Sequence, residues 1–240
     1  MERLDKMLAS QNVGSRKEVQ KLIKSGAVKL NGEICKKCEQ KIDPEKDIVT
    51  VNGQAVNYSK YIYIMMNKPQ GVLSACNDKH TPTVIDLVPQ EMQRKGLFPA
   101  GRLDKDTEGL LIITDDGDFA HRMLSPKKHV DKKYVAQLDN EITDETIKAF
   151  ENGIIFADGT KCLPAKLEIM DKNSPKTGLV TICEGKFHQV KKMFICCGLN
   201  VVHLKRISIG GLELDGNLHS GDCKLMTDLD KELIFIGNIH

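Results

Sequence analysis

The stretch Gly101-Arg102-Leu103-Asp104-Lys105-Asp106-Thr107-Glu108-Gly109-Leu110-Leu111-Ile112-Ile113-Thr114 sets a run of charged side chains between two glycines, directly in front of a short apolar segment. Leu110–Thr114 reads as a buried strand, closed by the turn Asp115-Asp116-Gly117 before a helical run from Asp118 to Leu124. An irregular polar loop on a rigid strand is where catalytic groups commonly sit. Upstream, Tyr61–Met66 reads as a strand ended by Asn67-Lys68-Pro69-Gln70-Gly71. Further strands are expected at 133–138, 165–170, 178–183 and 201–209, and helices at 144–151 and 187–197. Strands and helices do not alternate regularly. The expected class is therefore α+β, with a mainly antiparallel sheet rather than a doubly wound parallel one.

The chain has 240 residues, of which 40% are hydrophobic and 28% charged, so it can bury a sizeable core in one large domain or two smaller ones. Lys and Arg number 35 against 33 Asp and Glu, a formal net charge of +2. That balance excludes a uniformly basic coat protein, and a polyanionic partner must be met by local patches. No run approaches the roughly 20 apolar residues of a membrane span, and the opening Met1–Lys6 has no signal-peptide h-region. A cytoplasmic monomer without a membrane partner is the expectation. The 8 cysteines are scattered, and Cys35-Lys36-Lys37-Cys38 lacks the second pair that a structural zinc needs. Reduced thiols, no metal and no cofactor are expected. Dinucleotide and P-loop glycine motifs are absent.

Residues 1–58 read as a separate unit, with 60–240 forming the larger domain. Leu4, Met7 and Leu8 form one helical stripe, and Ser15-Arg16-Lys17-Glu18 matches a capping box ahead of Val19, Leu22 and Ile23. Asn31-Gly32 and Asn52-Gly53 then mark two hairpins. Among residues 1–29, seven basic side chains face three acidic ones. A solvated helix face would look the same; so would a nucleic-acid contact.

Two further basic strips lie in the larger domain. His121–Tyr134 carries Arg122, Lys127, Lys128, Lys132 and Lys133 against Asp131, and ends on Tyr134. Gly185–Leu212 has no carboxylate, yet holds Lys186, Lys191, Lys192, Lys205, Arg206, His188 and His203. Together with the basic N-terminal unit they suggest a track for a phosphate backbone, with Lys127, Lys128 and Lys192 as contacts. Read alone, the 101–111 loop could also be an Arg–Asp staple, or a glycosidase-style carboxylate pair drawn from Asp104, Asp106 and Glu108. Tyr134 alone could be a core aromatic, and His188 a satisfied structural imidazole.

The order R-L-D-K-x-L, S-R-K-E-V-Q-K-L-I-K-x-G-x-V-x-L-N-G near the N-terminus closely resembles the α-L RNA-binding domain. That resemblance implies phosphate contacts for Arg3, Arg16, Lys17 and Lys21. The sets G-R-L-D-x-D-T-x-G-L-L, K-x-Y and G-K-F-H-Q-V-K-K-M, after a K-P-x-G strand end, resemble the pseudouridine synthases. T-D-D-G-x-x-x-H-R-x-x-S-P-x-x-H is most similar to the RsuA-type enzymes, which isomerise a uridine of 16S ribosomal RNA. The resemblance implies that Asp104 is the catalytic aspartate, Tyr134 the active-site tyrosine and Lys191 the cation paired with the aspartate. Many relatives carry Arg at this last position, and Lys lacks its planar fork.

The implied chemistry breaks a C1′–N1 bond, turns the uracil and rejoins it through C5, so an ionised carboxylate suffices without a cofactor. The uridine must first be everted; Arg102 suits a wedge or phosphate contact, and His188 and Gln189 suit backbone or base contacts. A 23S target, or a non-catalytic ribosome-assembly factor that binds RNA, stays open as an alternative.

Overall fold

A computed structural model of the chain describes residues 1–125, 128–171 and 173–236, and it divides into two units. The first comprises Met1–Ile62 and Pro89–Leu97. Strand β1 (Glu2–Arg3) leads into α1 (Leu4–Ser10) and α2 (Arg16–Ser25), followed by β2 (Val28–Leu30), β3 (Glu33–Ile34), β4 (Lys41–Ile42), β5 (Val49–Val51) and β6 (Gln54–Ala55). The capping box at α2 is formed: Glu18 N donates to Ser15 Oγ at 3.4 Å, and Ser15 N donates to Glu18 Oε2 at 2.7 Å. Gly26 ends the helix in the left-handed conformation. Asn31-Gly32 and Asn52-Gly53 all have positive φ and turn the β2–β3 and β5–β6 hairpins, as that dipeptide predicts. Leu4, Leu8, Val19, Ile23 and Val28 pack into this unit's own core.

The segment Pro89–Leu97 differs from the 58/60 division. It belongs with the first unit because Asn12 Nδ2 donates to Gln90 O at 3.0 Å, and the Arg94 guanidinium donates to Ser59 O and Lys60 O at 3.0 and 2.9 Å.

The second unit is built on one sheet of nine strands. Its elements are β7 (Tyr63–Lys68), β8 (Phe98–Ala100), β9 (Glu108–Thr114), α3 (Gly117–Leu124), β10 (Lys132–Leu138), α4 (Asp144–Asn152), β11 (Lys166–Ile169), β12 (Thr177–Ile182), α5 (Gln189–Cys196), β13 (Val201–Ile209), β14 (Leu212–Glu213), β15 (Cys223–Leu225) and α6 (Asp228–Leu233). The main path runs β11-β12-β10-β13-β9-β7-β15, with β14 on β13 and β8 on β9. Every pairing is antiparallel except β13 with β9. The fold is α+β, as the irregular order of elements indicates.

That parallel contact is short and tight. Lys205 pairs Glu108 and Arg206 pairs Gly109, where a Cβ at Gly109 would lie 2.1 Å from the Arg206 carbonyl oxygen. With φ at +103°, the position requires glycine on both counts. Across the same row, Tyr134 of β10 sits opposite Arg206 of β13. Tyr134, Arg206 and Gly109 thus lie side by side on three neighbouring strands, and Gly109 is five residues after Asp104. Asp116 caps α3 by accepting from Phe119 N at 3.1 Å, and Phe119, Ala120 and Met123 pack into the core beneath β8 and β9.

Candidate active site

The loop between β8 and β9 is held from beneath by a lysine. Lys68, at the end of β7, is fully buried, and its ammonium donates to Pro69 O, Asp104 O, Lys105 O and Thr107 O at 2.9, 3.1, 3.4 and 3.0 Å. Burial lowers its pKa to about 8, against the opposing pull of Asp106, Asp104 and Glu108. Ser74 Oγ donates to Leu103 O at 2.9 Å and takes Leu103 N at 3.0 Å, and Gly71 N donates to Lys105 O at 2.8 Å. The backbone of residues 103–107 is therefore tied at nearly every carbonyl, and its carboxylates project from a fixed frame.

Each of the three carboxylates meets a basic side chain, and two of them share one. The Asp104 side chain, 26% exposed, has its Oδ1 3.4 Å from His188 Nε2 and its Oδ2 3.6 Å from Lys191 Nζ. Asp106 Oδ1 lies 2.5 Å from the same ammonium, and that hydrogen bond holds its carboxyl below the usual carboxylate range. Lys191 is therefore shared, and its tighter contact is to Asp106. Glu108 Oε2 meets His203 Nε2 at 2.7 Å.

Helix α5 brings Lys191 and its neighbours to the loop. His188, immediately before the helix, has φ 52° and ψ 36°, a left-handed conformation uncommon for a residue with a Cβ. Gln189, expected among the RNA contacts, is turned inward instead. It is buried, its amide nitrogen donates to Glu184 Oε1 at 2.8 Å, and its oxygen accepts from Lys186 N at 2.9 Å. Glu184 also binds the Lys186 ammonium. Gln189 thus shapes the turn that presents His188.

Tyr134 is 8% exposed and accepts a hydrogen bond from Arg206 Nη1 at 3.4 Å. Arg206 is 5% exposed, and its Nε donates to Leu110 O at 2.8 Å. Arg206 Nη2 is buried without a hydrogen-bond partner among the described residues. Lys132, on the same face of β10 two residues before Tyr134, is also buried; burial, then the charge of Arg206, lowers its pKa to about 8. In the sequence Arg206 shows only its membership of an acid-free basic strip, which assigns it no role. Its side chain is buried where β13 pairs with β9 and β10, long-range pairings that sequence spacing does not reveal.

The chain meets two family patterns, S4 domain over residues 2–49 and RNA pseudouridylate synthase over residues 62–195. The chain belongs to the RNA pseudouridine synthases. It is 48% identical over 233 residues to an uncharacterised RNA pseudouridine synthase, YtzG, of Bacillus subtilis (strain 168), covering 97% of this chain and 98% of that protein. To the ribosomal large subunit pseudouridine synthase B of the same organism it is 39% identical, covering 95% and 93%. To the ribosomal small subunit pseudouridine synthase A of Escherichia coli it is 38% identical, covering 94% and 96%. A solved structure described as a pseudouridylate synthase matches with a TM-score of 0.67 and 36% identity, covering 98% of this chain and all of that one.

In this pseudouridine synthase the remaining candidate RNA contacts fall in both units. Arg3 is bidentate to Asp5 at 3.0 Å for each nitrogen, and Arg16 Nε reaches the same carboxylate at 3.3 Å. Burial would raise the Asp5 pKa, but hydrogen bonds from Arg3, Gln20 and Arg16 outweigh it and bring it to about 2. Lys17, Lys21, Arg102 and Lys128 are exposed, and Lys192 is half-buried. Lys127 lies outside the described residues.

Proposed function

We propose that the enzyme isomerises a uridine of 16S ribosomal RNA, with Asp104 as the reacting carboxylate. One observation supports this above the others: Asp104 stands on a backbone locked by the buried Lys68 ammonium, within reach of both His188 and Lys191. In the reaction the C1′–N1 bond breaks and a C5–C1′ bond forms. The C5 proton leaves and N1 gains one, so atoms balance with no net redox change. The Asp104 carboxylate acts as nucleophile at base or sugar, or stabilises charge while the 2′ proton leaves. Lys191 and His188 hold positive or donor groups toward it. Arg206 is donor-only, so its bond to Tyr134 Oη leaves the phenolic hydrogen free to be given to substrate.

The N-terminal unit binds ribosomal RNA through Arg3, Arg16, Lys17 and Lys21, and Arg102, Lys128, His188 and Lys192 meet the nucleotides around the target. The choice of 16S rests on the T-D-D-G-x-x-x-H-R-x-x-S-P-x-x-H pattern over Thr114–His129. The resemblance to a large subunit synthase at 39% identity favours a 23S uridine as the second reading. Mapping pseudouridine in both ribosomal RNAs from a strain lacking this gene decides between them. Loss of one 16S site supports the first reading; loss of a 23S site alone replaces it; no lost site in either overturns both.

A further inference from the structure

Phe187 leaves 71% of its surface in water, the most exposed aromatic among the described residues. It immediately precedes His188, whose left-handed backbone turns the imidazole flat against the phenyl ring, with centroids 3.8 Å apart and an interplanar angle of 21°. The same imidazole lies 3.4 Å from the Asp104 carboxylate. Lys192, further along α5, places its ammonium 5.2 Å from the Phe187 ring centroid and 5.4 Å from that of Phe156. An uncommon backbone conformation therefore sets a largely exposed ring at the rim of the carboxylate, with the imidazole against one face and the flexible Lys192 ammonium over the ring. Burying the ring would have brought the stabilisation that aromatic area normally supplies. The fold leaves it outside, and such local strain points to function when it sits beside reactive groups.

Everting a uridine strips its neighbours of a stacking partner. A phenyl ring accepts any base, because every base has a π-face, and a lysine beside it suits the adjoining phosphate. We propose that Phe187 is the stacking site for a nucleobase flanking the everted uridine, with Lys192 meeting that nucleotide's phosphate. This rests on Asp104 being the reacting carboxylate.

The test compares Phe187→Ala, Phe187→Leu and Phe187→Trp in two settings. Binding is measured in the Asp104→Asn background, to a hairpin RNA cut from the mapped target and carrying 2-aminopurine on either side of the uridine. Conversion is measured in the otherwise unaltered enzyme. Ala and Leu are expected to weaken binding about 5- to 150-fold, the range of a base-aromatic stack. They are also expected to abolish the 2-aminopurine response at one flanking position, while Trp retains both affinity and response. Leu keeps the apolar area without the π-face; if it binds as tightly as Phe, or if Ala stays within twofold, the stacking site is wrong. A competent Asp104→Asn enzyme instead removes the catalytic reading, independently of how the Phe187 series behaves.

Discussion

Replacing Lys68 by Met tests whether a buried charge holds the Asp104 loop. The native ammonium carries a pKa lowered from 10.5 to about 8, so at pH 7 keeping its proton in the fold costs about 3 kcal/mol, at 1.36 kcal/mol per pKa unit. Met removes that cost but deprives Pro69 O and Thr107 O of their donor. Each lost partner costs about 1–3 kcal/mol, so the two contributions nearly cancel and stability at pH 7 changes little in either direction. The pH dependence does not cancel. A lysine whose folded pKa is depressed destabilises the fold fully below about pH 8, and the penalty fades as pH rises toward 10.5, because the unfolded chain then binds more protons than the native one. Between pH 7 and pH 10 the native protein is expected to gain about 2–3 kcal/mol relative to Lys68→Met. Urea melts of both proteins at the two pH values measure this, with other titrations cancelling in the difference. A difference that stays constant within about 0.5 kcal/mol, the usual scatter of additive comparisons, refutes the buried ammonium.

Three further outcomes are expected. Asp5→Asn lowers stability by about 2 kcal/mol at neutral pH, because a carboxylate with folded pKa about 2 stabilises above the unfolded value and loses that contribution as pH falls. Melts at pH 6 and pH 3 should show the gap narrowing by about 1 kcal/mol, and filter binding should show weaker RNA affinity as Arg3 and Arg16 lose their anchor. Arg206→Met is expected to reduce kcat about 10-fold or more with little change in RNA affinity, and to add nothing in a Tyr134→Phe background. Equal losses in both backgrounds would show that Arg206 does not act through the tyrosine. Gly109→Ala drives a methyl into the Arg206 backbone and should lower stability by about 3 kcal/mol or more, as overpacking does. A melt unchanged from the parent would contradict the close β9–β13 approach.

Periodicity and turn chemistry made most of the elements readable. The Ser15 capping box, the Asn-Gly hairpins and the Leu110–Thr114 strand are local signals, set by residues within a few positions of one another. The glycine-bounded loop before an apolar strand reads as a candidate site, but only the resemblance to the pseudouridine synthases singles out Asp104 within it. What sequence did not show is long-range. Lys68 and Arg206 read as ordinary basic residues, yet both are buried struts, the first under the loop and the second between β9 and β10. Gln189 read as a polar contact because it follows His188, but the left-handed turn at His188 sends it inward. Asp106 competes for Lys191 at 2.5 Å, a contact spanning 85 positions that spacing cannot disclose.

The most direct measurement is single-turnover conversion of in vitro transcribed 16S and 23S ribosomal RNA by Asp104→Asn, with binding followed in parallel. Asn keeps the size and polarity of the side chain and removes only its charge. Affinity within a few-fold of the native enzyme, with pseudouridine formation reduced about 1,000-fold or more, is the expected result. Product formed at the native rate would contradict the assignment of Asp104 as the reacting group.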